Sequence, residues 1–115
     1  MVEDDVAVSD VIAEALTQSN YDARVAPTAS DALASAEIER PDLILLDISL
    51  PDASGTSTLD RLRQLRSDVP IIMLTANADE QLARETLRRG AFDYVMKPVN
   101  LDELIRIVEF ALASG

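Results

Sequence analysis

The chain has 115 residues, 48% of them apolar, and a formal charge of −11. Such a length makes one domain with a core of its own, and so apolar a composition argues against disorder. A surface this negative repels nucleic acid and anionic lipid, so neither direct nucleic-acid binding nor membrane association is expected.

Neither Cys nor His is present, which excludes disulfides, thiolate chemistry, imidazole acid–base catalysis and imidazole-ligated metals. A metal held here would be hard and oxygen-ligated, such as Mg²⁺ or Mn²⁺. No apolar run reaches the ~18 residues of a membrane span, and the start lacks the basic and apolar regions of a signal peptide. A cytoplasmic chain forming a single domain over residues 1–115, with no output domain, is the expectation.

The chain opens MVEDDVAV, where Glu3, Asp4 and Asp5 follow only Met1 and Val2. A strand here would be unusually short, since strands usually run about five or six residues. Val8, Ile12, Ala15 and Leu16 then share one helical face. Tyr21–Ala26 alternates weakly and reads as an edge strand. Asp42–Ile48 and Pro70–Ala76 are continuous apolar runs, the pattern of strands covered on both faces. Between them Gly55 opens a helix carrying Leu59 and Leu62. Leu82, Ala83 and Leu87 mark another helix, closed by Gly90, and Phe92–Pro98 is a shorter strand. Asn100 is a good N-cap for the last helix, where Leu101, Leu104, Ile105, Val108 and Leu112 recur at helical spacing. Phe110 lies off that stripe and Ile107 at its margin.

Helix and strand alternate, which implies βαβ crossovers and an α/β fold with helices on both faces of a parallel sheet. Ligands in such folds sit beyond the carboxyl ends of the strands. The polar residues ending the strands are Glu3, Asp4, Asp47, Thr75 and Lys97. Three carboxylates about one point need a cation to ionise together. Mg²⁺ takes one or two carboxylates and prefers phosphate oxygens as further ligands. With an ammonium and a hydroxyl added, the group suits an incoming phosphoryl: Mg²⁺ and Lys97 would neutralise its oxygens while Asp47 attacks in line. Taken singly, an Asp at a strand end is more often a loop cap; the force lies in the set.

The segments VEDD (2–5), DLILLDISLPDASG (42–55), PIIMLTA (70–76) and GAFDYVMKP (90–98) together resemble the receiver domain of two-component response regulators, over essentially the whole length. The resemblance implies a flavodoxin-like, doubly wound sheet of five parallel strands in the order 2-1-3-4-5. It also implies phosphorylation on aspartate by a histidine kinase or phosphotransfer protein. It makes Asp47 the phosphoacceptor and Thr75 the switch hydroxyl, with Ala76 keeping the approach open. Tyr94 becomes the switch aromatic and Lys97 the partner of Asp47 and then of the phosphate. Asp4 would bind Mg²⁺ directly, Glu3 through water, and the Ser49 carbonyl would be a further ligand beside Asp47. Asp5 reads as the cap of the first helix, and the Lys97–Pro98 bond is often cis in the family.

The implied function is a phosphorylation-dependent switch. Its output face is made by the fourth helix, fifth strand and fifth helix, which could also carry a homodimer; the output partner is not indicated. The second reading is a phosphorylation-independent receiver-like interaction module. Aspartate phosphatases of the haloacid dehalogenase type carry a second Asp two residues after the nucleophile. Ser49 stands there instead, so the acyl phosphate is expected to hydrolyse slowly, at a rate tuned by Ser49 and Asn77. Flavodoxin itself is disfavoured, because no Ser/Thr/Gly-rich phosphate loop follows the first strand.

The short start carries an energetic expectation of its own. Two or three missing buried apolar side chains, at roughly 1.5–3 kcal/mol each, amount to about 3–9 kcal/mol. An apolar N-terminal extension is therefore expected to raise the melting temperature.

Overall fold

A computed structural model describes residues 1–2, 6–22, 24–26, 28–48, 54–76 and 80–114. Three strands, β1 (Ile44–Asp47), β2 (Ile71–Ala76) and β3 (Asp93–Lys97), form a parallel sheet in that order. The continuous apolar runs are explained by the covering of both faces. Ile44, Leu46, Ile71 and Met73 join one core cluster, while Leu45, Ile72, Leu74 and Val95 join the other. This is the two-residue alternation of strands expressed on two buried surfaces.

Helices close each face. α2 (Ala29–Ile38) and α3 (Gly55–Leu65) cover the first with Ala32, Ala36, Leu59 and Leu62. α1 (Val6–Gln18) and α5 (Leu101–Ser114) cover the second with Ile12, Leu16, Leu104, Val108 and Ala111. α4 (Glu80–Arg88) packs on β2 and β3 and sets Leu82 against the first cluster.

The helix ends follow local chemistry. α1 ends in a left-handed residue, Asn20 (φ 70°), with Tyr21 N–H donating to Leu16 and Asn20 N–H to Thr17. α4 ends the same way at Gly90 (φ 102°), with Ala91 donating to Thr86 and Gly90 to Leu87. Both are Schellman caps. The expected cap at Asn100 is present: its Oδ1 accepts from Glu103 N–H at 3.1 Å.

The structure also corrects the sequence reading in three places. The sequence reading assigned no residues to α2, because its buried face is built from Ala29, Ala32 and Ala36 rather than large side chains. Its start is signalled by Thr28, whose hydroxyl accepts from Asp31 N–H at 3.1 Å. On α4 the inward face is carried by Ala83 and Thr86, and Leu87 is exposed. Among its described residues the candidate strand Tyr21–Ala26 contributes a bridge at Ala26.

That last correction reflects the amino end. Val2 forms isolated parallel bridges to Ala26 on one side and Leu46 on the other. Its N–H donates to Leu45 at 2.7 Å, its carbonyl accepts from Asp47 N–H at 2.9 Å, and Met1 accepts from Ala26 N–H at 2.7 Å. Ala26, Val2 and Leu46 thus lie side by side as the order 2-1-3 requires. The described residues nevertheless hold three strands and two bridges rather than five strands.

The Met1 amine donates to the Arg24 carbonyl at 2.6 Å, and burial lowers its pKa from 8.0 to about 6. The unfolded chain therefore binds the proton more tightly than the folded one across that window. Stability is expected to rise by roughly 2–3 kcal/mol as pH climbs from about 6 to 8. With no His present, no side chain has its ordinary pKa in that window. Urea unfolding at pH 5.5, 7 and 8.5 checks this, and acetylating the amine is expected to flatten the profile.

Candidate functional site

In a parallel sheet all carboxyl ends reach the same edge. Asp47 is the last residue of β1, Thr75 the last but one of β2, and Lys97 the last of β3. The register sets Asp47 opposite Leu74, Thr75 opposite Met96 and Ala76 opposite Lys97. Since β2 lies between the other two strands, the Lys97 stem crosses the end of β2 to reach Asp47. Its Nζ donates to Asp47 Oδ2 at 2.8 Å.

Asp47 is 3% exposed, whereas the Lys97 side chain is 30% exposed. A buried carboxylate without compensation is expensive, and a charge-assisted hydrogen bond is the stronger kind of compensation. Lys97 is the only lysine in the chain. Its flexible stem lets it follow charge that moves, which a planar guanidinium does less readily. The Lys97–Pro98 peptide bond is cis.

Thr75 is fully buried, and its Oγ1 has no hydrogen-bond partner. Two other buried threonines are satisfied: Thr58 donates to the Ser54 carbonyl at 2.9 Å and Thr86 to the Ala83 carbonyl at 2.6 Å. Those lie on helices, where a hydroxyl can turn back to the preceding turn. A strand offers no such carbonyl. At least nine in ten buried polar groups find partners, and an unmet one costs about 1–3 kcal/mol. The exception sits at the carboxyl edge of the sheet, one strand from Asp47.

Tyr94 is half-buried on β3, packed against the cluster that holds Leu59, Leu62 and Met73. It pairs with Met73 while Thr75 pairs with Met96. Thr75 and Tyr94 therefore share one face of the sheet, displaced by two residues along it.

The backbone beyond Asp47 is also fixed. Ile48 N–H donates to Leu74 at 3.0 Å, and the Ile48 carbonyl accepts from Gly55 N–H at 2.7 Å. A Cβ on Gly55 would lie 2.3 Å from Ile48 Cα, so the start of α3 can seat against the end of β1 only with glycine there. The sequence reading took Gly55 simply as a helix opener. Its spacing of seven residues from Ile48 was the available signal.

Glu3, Asp4, Asp5, Ser49 and Asn77 lie outside the described residues. Among the described residues no three acids gather into a metal-binding group. Val2, directly ahead of the acids, bonds the Asp47 backbone. The donor set that the sequence assigns consists of carboxylate and carbonyl oxygen, and includes the buried Asp47 carboxylate. Its chemistry fits Mg²⁺ and not a softer metal.

The family model for the response regulator receiver domain matches residues 1–109. The chain belongs to the receiver-domain family of two-component response regulators. It is 40% identical over 112 residues to the transcriptional regulatory protein KdpE of Staphylococcus aureus, covering 95% of this chain and 48% of that protein. It is 36% identical over 116 residues to the nitrogen assimilation regulatory protein NtrX of Azorhizobium caulinodans, covering 99% and 26%. The receiver therefore spans half or less of these curated relatives. Among solved structures, the receiver domain of NtrX from Brucella abortus superposes with a TM-score of 0.96 at 32% identity, covering 99% of this chain and 97% of that one. A CheY-like receiver domain from Methanospirillum hungatei gives 0.92 at 36% identity, covering 98% and 90%. The fold is thus the flavodoxin-like α/β receiver fold. Receiver domains generally bind Mg²⁺ and interact with histidine kinases and output domains. No helix among the described residues is long and apolar enough to cross a membrane.

Replacing Thr75 with Val keeps the shape of the side chain and removes the unpartnered hydroxyl. The resting receiver is expected to be stabilised by about 1 kcal/mol, read as a higher urea midpoint. A loss of stability would mean that the hydroxyl is bonded in solution.

Proposed function

We propose that this receiver is a phosphorylation-dependent switch whose phosphoacceptor is Asp47. The observation that carries the reading is the buried Asp47 carboxylate paired with Lys97, beside a buried hydroxyl that lacks a partner. A carboxylate oxygen of Asp47 attacks the phosphorus of a phosphohistidine in line. The O–P bond forms as the P–N bond breaks, and the imidazole leaves with the electron pair. Lys97 turns from the carboxylate to the phosphoryl oxygens, and Thr75 donates its O–H to one of them. Asp4, Asp47, the Ser49 carbonyl and Glu3 would hold Mg²⁺, which would supply further neutralisation of the phosphoryl charge.

The change in state follows from the same residues. Thr75 gains an acceptor, moves toward it and leaves room on its face of the sheet. Tyr94, two residues back on that face, turns into the space. The surface of α4, β3 and α5 is then presented differently to an output partner or a second copy. The donor is a histidine kinase or phosphotransfer protein, encountered in the cytoplasm. Slow loss of the phosphoryl group follows from Ser49 standing where a phosphatase carries its second Asp. Under this reading the chain is not a turnover enzyme, binds no nucleic acid directly and associates with no membrane.

Asp47→Ala is expected to abolish labelling by a small phosphodonor with Mg²⁺, read by mass; labelling that persists would overturn the assignment. Thr75→Ala is expected to retain labelling while blunting the spectral response of α4 and α5 to beryllofluoride. A wild-type protein that neither binds beryllofluoride nor gains stability from Mg²⁺ would instead be a phosphorylation-independent interaction module.

A further inference from the structure

α4 is the helix that follows the unpartnered hydroxyl. Its amino end comes after Thr75 and Ala76 at the carboxyl edge of the sheet. It runs back from there, and its carboxyl end meets Gly90 and Ala91 at the amino edge. The two ends are held by different physics.

The inward face of α4 is small. Ala83 and Thr86 are its buried residues, with Leu82 half-buried against the first cluster and Leu87 exposed. The Thr86 hydroxyl donates to the Ala83 carbonyl of the same helix at 2.6 Å, so it makes no demand on the sheet. Apolar contact is non-directional, and a face of small side chains can tilt without leaving a polar group unmet. The helix meanwhile supports itself. It is built from good helix formers, and the pairs Arg84–Glu80 at 3.0 Å and Arg88–Glu85 at 3.1 Å lie within it. It can therefore move as one piece.

The carboxyl end is fastened by directed bonds. On α3, Asp60 and Arg63 stand three residues apart and share a face. Asp60 takes the Arg89 guanidinium at 2.5 Å, and Arg89 reaches back to Glu85 at 3.4 Å. Arg63 donates to the Val69 carbonyl at 3.2 Å, and its side chain crosses Gly90, where a Cβ would stand 3.1 Å from Nε. The left-handed turn at Gly90 completes the grip, with the N–H groups of Gly90 and Ala91 donating to Leu87 and Thr86. α3 thus holds α4 at the end opposite the Asp47 edge.

We propose that α4 is a lever pivoting at its carboxyl end. The Asp60–Arg89 pair and the Arg63–Gly90 contact form the fulcrum, so the amino end swings while the last turn stays with α3. The pair is half-exposed, and such pairs contribute little to global stability. A helix that buries so little opens locally at low free energy, and there a small term still sets which end yields. The pivot stands without phosphoryl chemistry. Only its use rests on the switch reading: a movement of Thr75 would then tilt the α4 surface rather than translate it.

The chain has no Cys, so paired nitroxides on introduced cysteines report the pivot without background labelling. One label replaces exposed Ser35 on α2, and the other replaces exposed Gln81 or exposed Leu87 on α4. Gln81 lies nine residues from Gly90 and Leu87 three. Pulsed EPR of the full chain without ligand is therefore expected to give a distance distribution roughly twice as broad for Gln81 as for Leu87. Asp60→Asn is expected to broaden the Leu87 distribution about twofold, with little change in the urea midpoint. The charge swap, Asp60→Arg with Arg89→Asp, is expected to narrow it again. Equal widths in the otherwise unaltered chain, a Leu87 width indifferent to Asp60→Asn, or a swap that fails to restore it would each overturn the proposal. Broadening accompanied by a large fall in the urea midpoint would also overturn it, because the pair would then hold the fold rather than the pivot. Failure to bind beryllofluoride would remove the switch reading alone, since the widths are measured without it.

Discussion

A carboxylate buried at the end of β1 must be compensated, and the compensation comes from a lysine on β3, two strands away. That bond constrains much of the sheet. β1, β2 and β3 differ in length, yet Asp47 and Lys97 must end at one edge with their side chains on compatible sides of β2. A register slip of one residue in β3 would turn Lys97 to the other face and leave Asp47 without its ammonium. The continuous apolar runs are the reason such a slip is resisted. Tyr94 and Val95 already pack into opposite clusters, and a slip would exchange them.

The other cations of this acidic chain do different work. Arg24 pairs with Glu39, Arg40 with Asp68 and Arg89 with Asp60, all largely in water. Arg40 holds the Asp68 carboxyl below its ordinary range through a hydrogen bond, but water screens exposed pairs of this kind and they add little to stability. They fasten loops and helix ends. The pair at Asp47 differs because one partner is buried and the other has a path to solvent, so the ammonium can move and the carboxylate cannot. Thr75 completes the asymmetry: it carries an unmet donor next to a charge that already has a partner. A resting site with one satisfied and one unsatisfied group has a built-in preference for an added acceptor.

Much of the fold was legible in the sequence where side chains are large and the environment uniform. The strands 42–48 and 70–76 announced themselves as continuous apolar runs because both of their faces are buried, and 92–98 as a shorter one. The last helix showed its stripe through Leu104 and Val108. What was illegible had weak or non-local signals. α2 buries alanines, whose small side chains barely register as a pattern. Leu87 satisfied the helical period yet lies in solvent, because Ala83 and Thr86 already bring α4 close to the sheet. The strand expected at 21–26 depends on how many partner residues lie beside it, which no local window reports. For the site, the edge position and the residue types of Asp47, Thr75 and Lys97 could be read from strand ends. The Lys97–Asp47 bond, the burial of Thr75 and the approach of Gly55 to Ile48 arise between segments far apart in the chain.

The two ends of the sheet are not independent. Val2 bridges Ala26 and Leu46 at the amino side, and its carbonyl takes the N–H of Asp47 itself. The residue that fastens the chain's beginning into the sheet thus also fixes the backbone that carries the buried carboxylate, and the acids at positions 3–5 follow from it without an intervening residue. On the opposite side of Asp47, Gly55 performs the matching task by locking Ile48 against α3. Asp47 is therefore held by backbone from both flanks and by Lys97 across the sheet. Of these three supports, the ammonium is the one that reaches Asp47 through a flexible stem with a path to solvent.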